Sequence, residues 1–124
     1  MVRLLKQGAG KLLDLPGRRS REAVSGALGA HVSLRIVEIA PRQPGETPRG
    51  PHLHRDFEEC IYVLAGHGAM HAESGEYPAG PGDILLVPPG EKHMTVNTGR
   101  EPLVLLCFFA VPDVGGGTVE FASF

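Results

Sequence analysis

The stretch that decides the fold is residues 52–66, His-Leu-His-Arg-Asp-Phe-Glu-Glu-Cys-Ile-Tyr-Val-Leu-Ala-Gly. It has the pattern H-x-H-x4-E-x6-G, in which one residue separates His52 from His54 and Glu59 follows five residues later. Side chains alternate along a β-strand, so the two histidines would point to the same side and could bind one ion together. Glu59, at the start of the next apolar strand, would bring a carboxylate into the same interior, where a cation would offset its charge.

A second stretch, residues 82–97, supplies a third imidazole. It has the pattern G-x5-P-x-G-x2-H-x3-N, with Pro88, Gly90, His93 and Asn97 at the fixed places. The Pro-x-Gly corner favours a sharp turn and predicts a strand that begins at His93 and points back to the same cavity. Three imidazoles and one carboxylate suit one divalent transition metal, which would be Fe, Mn, Co, Ni, Cu or Zn.

Short apolar runs separated by turn residues surround these two stretches and predict an all-β domain. The chain has 17 glycines and 11 prolines among 124 residues. Residues 41–51 carry four prolines and two glycines and predict a loop, and residues 74–76 and 78–83 predict turns. Their regular spacing predicts an antiparallel sandwich or barrel. The predicted strands are residues 33–40, 59–65, 69–72, 84–87, 93–96 and 103–111.

The length of the chain predicts one domain with two short extensions. Residues 1–32 are expected to form an N-terminal arm with short strands, and residues 33–111 to form the barrel. Residues 112–124 are expected to form a C-terminal hinge and strand, because three glycines at 115–117 precede the alternating run 118–124.

Positive charge is concentrated at the N-terminus. Residues 1–21 hold six of the twelve lysines and arginines, whereas the remainder carries a net charge of −7 from six basic and thirteen acidic residues. A basic segment can bind nucleic acid, but this one lacks interleaved aromatic residues and is broken by leucines and Pro16. We therefore expect it to pack over an acidic barrel, its own or a partner's, and expect no nucleic-acid partner.

The two cysteines and the hydropathy of the chain indicate a cellular location. Cys60 and Cys107 lie in apolar runs, which favours two separate buried thiols over a disulfide. The apolar part of residues 1–8 is too short, and interrupted too early, for a signal peptide. Since no apolar run approaches the roughly 18 residues of a membrane span, we expect a cytoplasmic protein without a membrane partner.

The two patterns resemble the two motifs of the cupin superfamily, G-x5-H-x-H-x3-4-E-x6-G and G-x5-P-x-G-x2-H-x3-N. The second motif matches at every fixed position, and the first matches from His52 onward but has Glu46 in place of its leading glycine. The resemblance covers about residues 33–111 and implies a double-stranded β-helix, an antiparallel barrel of jelly-roll topology. The metal ligands that it implies are His52, His54, Glu59 and His93.

Other residues are weighed against these four. Glu58 also fits the looser spacing of the first motif, but only Glu59 leaves six residues before Gly66. Arg35 interrupts an apolar strand and is the candidate clamp for a substrate carboxylate. Arg55 is a weaker candidate, because its parity is opposite to that of His54 and most such arginines lie on the surface. Surface or packing positions are expected for His31, His67, His71, Cys60 and Tyr62.

The resemblance implies a metal-dependent enzyme that acts on a small, carboxylate-bearing organic molecule as an oxygenase or as a lyase or isomerase. The alternatives are a cupin that binds a metal or a small ligand without catalysis, as a sensor does, and a cupin whose ion is structural. The run 103–111 has no polar side chain on either face, so its outer face needs cover. A homodimer would provide that cover.

Overall fold

The computed structural model describes residues 1–15, 17–47 and 49–124, in which eleven strands form two antiparallel sheets. Two three-residue 3-10 helices, Gly26–Leu28 and Gly115–Gly117, are the helical elements of these residues. The strands are β1 Lys11–Leu15, β2 Arg18–Val24, β3 Ser33–Ile39, β4 His52–His54, β5 Glu59–Ala65, β6 Gly68–Ala72, β7 Gly75–Ala79, β8 Ile84–Val87, β9 His93–Asn97, β10 Leu103–Phe109 and β11 Thr118–Glu120.

The two sheets pack face to face around the core. The order of strands is β1-β2-β3-β10-β5-β8 in the six-stranded sheet and β11-β4-β9-β6-β7 in the five-stranded sheet. Both contain neighbours that are distant in sequence, which is typical of a jelly roll, and the predicted all-β jelly-roll fold is confirmed. The largest fully buried apolar side chains of the core are Ile61, Val63, Leu103, Leu105 and Val114.

The extensions of the barrel join its sheets. Strand β2 pairs with β3 and carries β1 along its other edge, so the basic N-terminal residues widen the six-stranded sheet. Strand β11 pairs with β4 and places Thr118 opposite His54. Pro16 and Pro48, which belong to the predicted break and the predicted loop, lie outside the described residues.

One turn prediction is wrong. Residues 75–79, which belong to the predicted turn clusters, form strand β7 and pair with β6. The reason is the position of β7 at the edge of its sheet, because an edge strand has one unpaired side and therefore tolerates Pro78, which has no N–H to donate. Turns occupy residues 73–74 and 81–82 on either side of it.

Two motif residues fix the fold and lie away from the cluster of histidines. The side-chain amide of Asn97 donates to the carbonyls of Ile39 (2.9 Å) and Glu101 (2.8 Å), which ties the end of β9 to the opposite sheet. Gly66 has a φ of +83°, and a Cβ there would lie 2.4 Å from the carbonyl oxygen of Pro102. A side chain at Gly66 would therefore force the backbone apart.

The outward face of the six-stranded sheet is apolar over β10, β5 and β8. Its exposed side chains include Ile84, at 64% exposure, and Leu86, at 65%. Cross-strand register places Ile84 beside Tyr62 and Leu86 beside Cys60, so the exposed groups form a continuous surface. Within the described part of the chain, no helix has the length and apolar character that crossing a membrane requires.

Candidate metal centre

Three strands bring the predicted histidines and the predicted carboxylate together inside the barrel. Strand β4 carries His52 and His54, β5 carries Glu59 and β9 carries His93, and one potential ligand atom from each residue lies within 4.8 Å of the others. His52 pairs directly with His93 across β4 and β9. His54, Glu59 and His93 are buried. We call these four residues the cluster.

The tautomer of His93 follows from its hydrogen bonds. Its Nδ1 lies 2.9 Å from the carbonyl oxygen of Glu91, which can only accept, so Nδ1 carries a proton and donates it. Its Nε2 lies 3.0 Å from Oε1 of Glu59. A neutral imidazole in this tautomer therefore directs the lone pair of Nε2 at the carboxylate.

His54 is held in the same way. Its Nδ1 lies 2.9 Å from the hydroxyl oxygen of Thr118, and that hydroxyl donates its own proton to the carbonyl oxygen of Val114 at 2.7 Å. The Thr118 oxygen must therefore accept from Nδ1 of His54. Nε2 of His54 lies 3.2 Å from the same Oε1 of Glu59, again with its lone pair toward the carboxylate when the ring is neutral.

This arrangement fits a metal ion. Two imidazole lone pairs and a carboxylate oxygen that converge on one point repel each other unless protons or a cation lie between them. His52 is the fourth potential ligand of the cluster. Burial and then the charge of His93 lower the pKa of His52 to about 3, so its imidazole is neutral and can bind a metal. Its Nδ1 is buried without a hydrogen-bond partner in the described residues.

The pKa directions agree with this geometry. Burial works against the charged form of Glu59, yet hydrogen bonds from His54 and His93 lower the pKa of its carboxyl below the usual value. Burial likewise opposes the charged form of His93, but its hydrogen bond to Glu59 raises the pKa of the ring. Without a metal, protons therefore take the place of a cation between Glu59 and His93.

Aromatic rings and a thiol surround the cluster. The ring of His54 stacks on Phe57 at 5.0 Å and meets Phe109 edge-on at 5.3 Å, which fixes its orientation and excludes water. Burial and then the charge of Glu59 raise the pKa of the Cys107 thiol well above its usual value. Cys107 is not among the four residues whose potential ligand atoms lie within 4.8 Å of one another.

The cluster lines a cavity of about 50 Å³, which we call the inner cavity. Three arginines also line it, and we call them the arginine half. Arg35 lies there as a clamp would require, but its guanidinium is held by Glu22 at 2.8 Å. The other two members, which sequence analysis did not select, are Arg18 and Arg49.

Both missed arginines had a signal in the sequence. In the run Arg-Arg-Ser-Arg-Glu-Ala-Val of β2, Arg18 and Ser20 share one parity, and Ser20 is buried opposite Val37 of β3. Strand alternation therefore directs Arg18 inward, whereas the basic composition of residues 1–21 suggested a surface arm. Arg49 lies close before His52 and pairs with Glu120.

The remaining candidates lie away from the inner cavity. Arg55, His31, His67 and Glu58 are exposed. His71 pairs with Glu76 at 2.9 Å near the surface. Cys60 is free, as is Cys107, which does line the inner cavity. The exposure of Glu58 beside the buried Glu59 agrees with the choice of Glu59 as the carboxylate of the cluster.

Comparisons with known proteins give the same fold. A glucose-6-phosphate isomerase from Thermococcus kodakarensis is 38% identical over 63 residues, which are 47% of this chain and 33% of that protein. The oxalate decarboxylase of Lactobacillus farciminis, in a formate complex, matches 90% of this chain with a TM-score of 0.74 and 24% identity. This chain covers 33% of that structure. It thus spans about a third of the length of both proteins.

A structure of a candidate sugar phosphate isomerase from Acidithiobacillus ferrooxidans matches more evenly. It is 32% identical to this chain with a TM-score of 0.63, and the match covers 83% of this chain and 68% of the other. The family model of the cupin domain matches residues 37–109, which include the whole cluster. Since this match extends over more than half of the sequence, the chain belongs to the cupin domain family.

Proposed function

We propose that this cupin is a metal-dependent enzyme that acts on a small, carboxylate- or phosphate-bearing organic molecule as an isomerase, lyase or oxygenase. The observation that carries the proposal is the orientation of His54 and His93, whose Nδ1 protons are held by Thr118 and Glu91. Both rings thereby present Nε2 to one oxygen of Glu59. These contacts make the cluster ready for an ion before the ion arrives.

The surroundings of the cluster support chemistry over a purely structural ion. A structural site is normally closed by protein ligands, whereas this cluster borders the inner cavity and the arginine half. When bound, the ion would supply Lewis-acid activation of substrate oxygen atoms. Phe57 and Phe109 exclude water from the His54 side, and the arginines favour an anionic substrate.

The relatives favour the isomerase branch of this proposal. The Thermococcus protein is named a glucose-6-phosphate isomerase, and the Acidithiobacillus structure is named a candidate sugar phosphate isomerase. Isomerisation of a hydroxy-carbonyl compound by proton transfer needs polarised oxygens, which the bound ion would supply, and a group that moves the proton. Such an isomerase would exchange a substrate C–H with solvent, whereas an oxygenase would consume dioxygen.

The test uses metal-reconstituted protein and a matched pair of variants, Glu59→Ala and Glu58→Ala. The wild-type protein should bind close to one ion per chain by elemental analysis. It should also incorporate deuterium from D₂O into a member of a panel of sugar phosphates and small hydroxy acids, followed by NMR. Glu59→Ala should lose both properties, and Glu58→Ala should keep both, because Glu58 is exposed.

Three outcomes would count against the proposal. Equal metal content in Glu59→Ala and the wild-type protein would remove the cluster as the metal site. Dioxygen consumption without deuterium incorporation would replace the isomerase branch by the oxygenase branch. A bound metal with no turnover of any kind would leave a cupin that binds or senses a ligand.

We further propose that the protein is a homodimer whose interface is the outward apolar face of the six-stranded sheet. This face exposes Ile36, Tyr62, Leu64, Ile84, Leu86 and Phe108. A Leu86→Glu substitution on the edge strand β8 of this face should shift the mass in sedimentation equilibrium from dimer to monomer. Leu28→Glu, at an exposed leucine outside this face, should leave the mass unchanged. A wild-type monomer at micromolar concentration would contradict the proposal.

A cytoplasmic location is also proposed. Its support is that Cys60 and Cys107 are both free, as cysteines usually are in a reducing compartment. Fractionation of cells that express the tagged protein should place it with cytoplasmic markers. Recovery with exported proteins would contradict this location.

A further inference from the structure

Arg18 is a half-buried cation whose hydrogen-bonding capacity is largely unused. Its Nη2 donates to the carbonyl oxygen of Thr95 at 3.3 Å, a long bond. Its Nε is buried and has no hydrogen-bond partner among the described residues. A guanidinium has five N–H donors, and leaving one buried donor unpaired costs free energy. The folded protein therefore maintains an unfavourable group at this place.

Among the described residues, Arg18 is the member of the arginine half that forms no ion pair. Glu22 holds Arg35, and Glu120 holds Arg49. The nearby carboxylate of Glu59 is engaged by the histidines of the cluster. Burial and then the neighbouring charge of Arg49 lower the pKa of Arg18 to about 10, so it remains a cation at neutral pH.

Arg18 lines two cavities. A second cavity of about 60 Å³, which we call the outer cavity, shares Arg18, Arg49 and Thr95 with the inner cavity. Arg42 and Thr47 also line it. Two guanidinium groups are thus common to both cavities, and the cluster lines the inner one.

We propose that Arg18, together with Arg49, binds an oxyanion group of the substrate, a carboxylate or a phosphate, whose other end reaches the metal at the cluster. The proposal rests on the proposed function and names the part of the substrate that the arginine half recognises. An oxyanion would pair the buried Nε of Arg18 and offset two adjacent positive charges at once. Arg18 would thereby be a residue that determines specificity.

The test measures binding of inorganic phosphate and of malonate by titration calorimetry, with metal-loaded protein. Arg18→Met should weaken the anion that fits the subsite by roughly tenfold or more, because a charge-assisted hydrogen bond is lost. Arg19→Met is the matched control, since Arg19 is the exposed neighbour on the same strand, and it should bind as the wild-type protein does. The anion that loses more affinity in Arg18→Met identifies the substrate as a phosphate or a carboxylate.

A structural role for Arg18 predicts a different result. Removal of a structural arginine would lower the melting temperature, whereas removal of an unpaired buried charge should leave it unchanged or raise it. Arg18→Lys, which keeps the charge and the aliphatic stem but loses the planar fork, should fold and bind the anion more weakly than wild type. A lowered melting temperature with unchanged anion affinity in both variants would overturn the proposal.

Failure of this inference can be told from failure of the proposed function. If Glu59→Ala abolishes anion binding and Arg18→Met does not, the anion lies on the metal, and the inference is wrong while the metal centre stands. If the protein binds no metal but Arg18→Met still weakens phosphate or malonate binding, the proposed function is wrong and the subsite stands. A wild-type protein that binds neither anion overturns the inference.

Discussion

The cluster and the arginine half line one cavity, yet their buried charged groups are paired in different ways. In the cluster, Glu59 is surrounded by imidazoles, and two of these rings are anchored from behind by Thr118 and Glu91. In the arginine half, Arg18 points its buried Nε at no partner in the described residues. We therefore expect one ion to complete the cluster and an anion from outside the chain to pair with Arg18.

This difference indicates which part of the site holds a resident group and which part binds the substrate. Anchored ligands are typical of a resident group, because their orientation is stabilised whether or not the group is present. An unpaired cation is costly in the empty protein and becomes favourable only when a ligand arrives, which is typical of a substrate-binding group. The comparison thus predicts a metal that stays bound through turnover and an anion that binds and leaves.

The largest expected effect is stabilisation by metal. At a free metal concentration about 1,000 times the dissociation constant, binding to the folded state should add about 4 kcal/mol to the free energy of unfolding. Thermal denaturation of chelator-treated protein, with and without one equivalent of Mn²⁺, Fe²⁺ or Zn²⁺, measures this gain. The gain should vanish in Glu59→Ala and persist in Arg18→Met. An equal loss of this stabilisation in Glu59→Ala and Arg18→Met would show that metal binding depends on Arg18 as much as on Glu59.

The anchoring of the cluster is tested next. Thr118→Val removes the hydroxyl that accepts from His54 and keeps the shape of the side chain. Loss of such an outer contact typically weakens metal binding by roughly 10- to 100-fold, or about 1.4 to 2.7 kcal/mol. Competition with a chromophoric chelator measures the affinity. Thr98→Val, at an exposed threonine, is the control and should have no effect. Unchanged affinity in Thr118→Val would mean that the orientation of His54 is set by Phe57 and Phe109 alone.

The cluster and the arginine half also differ in how well the sequence predicts their residues. The common orientation of His52 and His54 follows from strand alternation. Glu59 lies on β5 in the other sheet, so its place in the cluster was predicted by the pattern of the first motif. Strand β8 at Ile84–Val87 also matches its prediction, because turn residues bound a purely apolar run. Local rules were sufficient wherever the partners lie on neighbouring residues of one strand.

The arginine half depends on partners that local rules do not contain. Arg18 is 34 residues before His52 in sequence, and it enters the cavity only because β2 pairs with β3 in a particular register. Arg35 was selected as an isolated charge in an apolar strand, but its partner Glu22 lies on that neighbouring strand. The positions of Arg18 and Arg35 both depend on the register between β2 and β3. Residue spacing within one stretch of sequence does not encode that register.

The pH dependence of stability should also differ between the cluster and the arginine half. The pKa of His93 is raised above 6.5 in the folded protein, so its contact with Glu59 stabilises the metal-free form fully below pH 6.5. That stability is lost as the pH rises through the raised pKa, at about 1.4 kcal/mol for each unit of elevation. In the metal-loaded protein the slope should reverse, because protons compete with the ion for Nε2 and metal affinity falls as the pH falls.

Urea denaturation of both forms, at several pH values above 6.5, measures these slopes. Arg18 should contribute no slope near neutral pH, because its pKa is about 10. Arg18→Met should therefore reproduce the pH profile of the wild-type protein in both forms. A metal-free protein whose stability rises with pH above 6.5 would show that His93 does not share a proton with Glu59.

The smallest expected effect concerns the ion pair between Arg35 and Glu22, which lie on the neighbouring strands β3 and β2. Glu22→Gln removes the negative charge that holds Arg35 and should lower the free energy of unfolding by about 1 kcal/mol, since both side chains are only partly buried. The freed guanidinium would face the inner cavity and make the arginine half more cationic. Phosphate or malonate should then bind severalfold more tightly by calorimetry, with metal affinity unchanged. An anion affinity equal to that of the wild-type protein would exclude Arg35 from the subsite and leave Arg18 and Arg49 to define it.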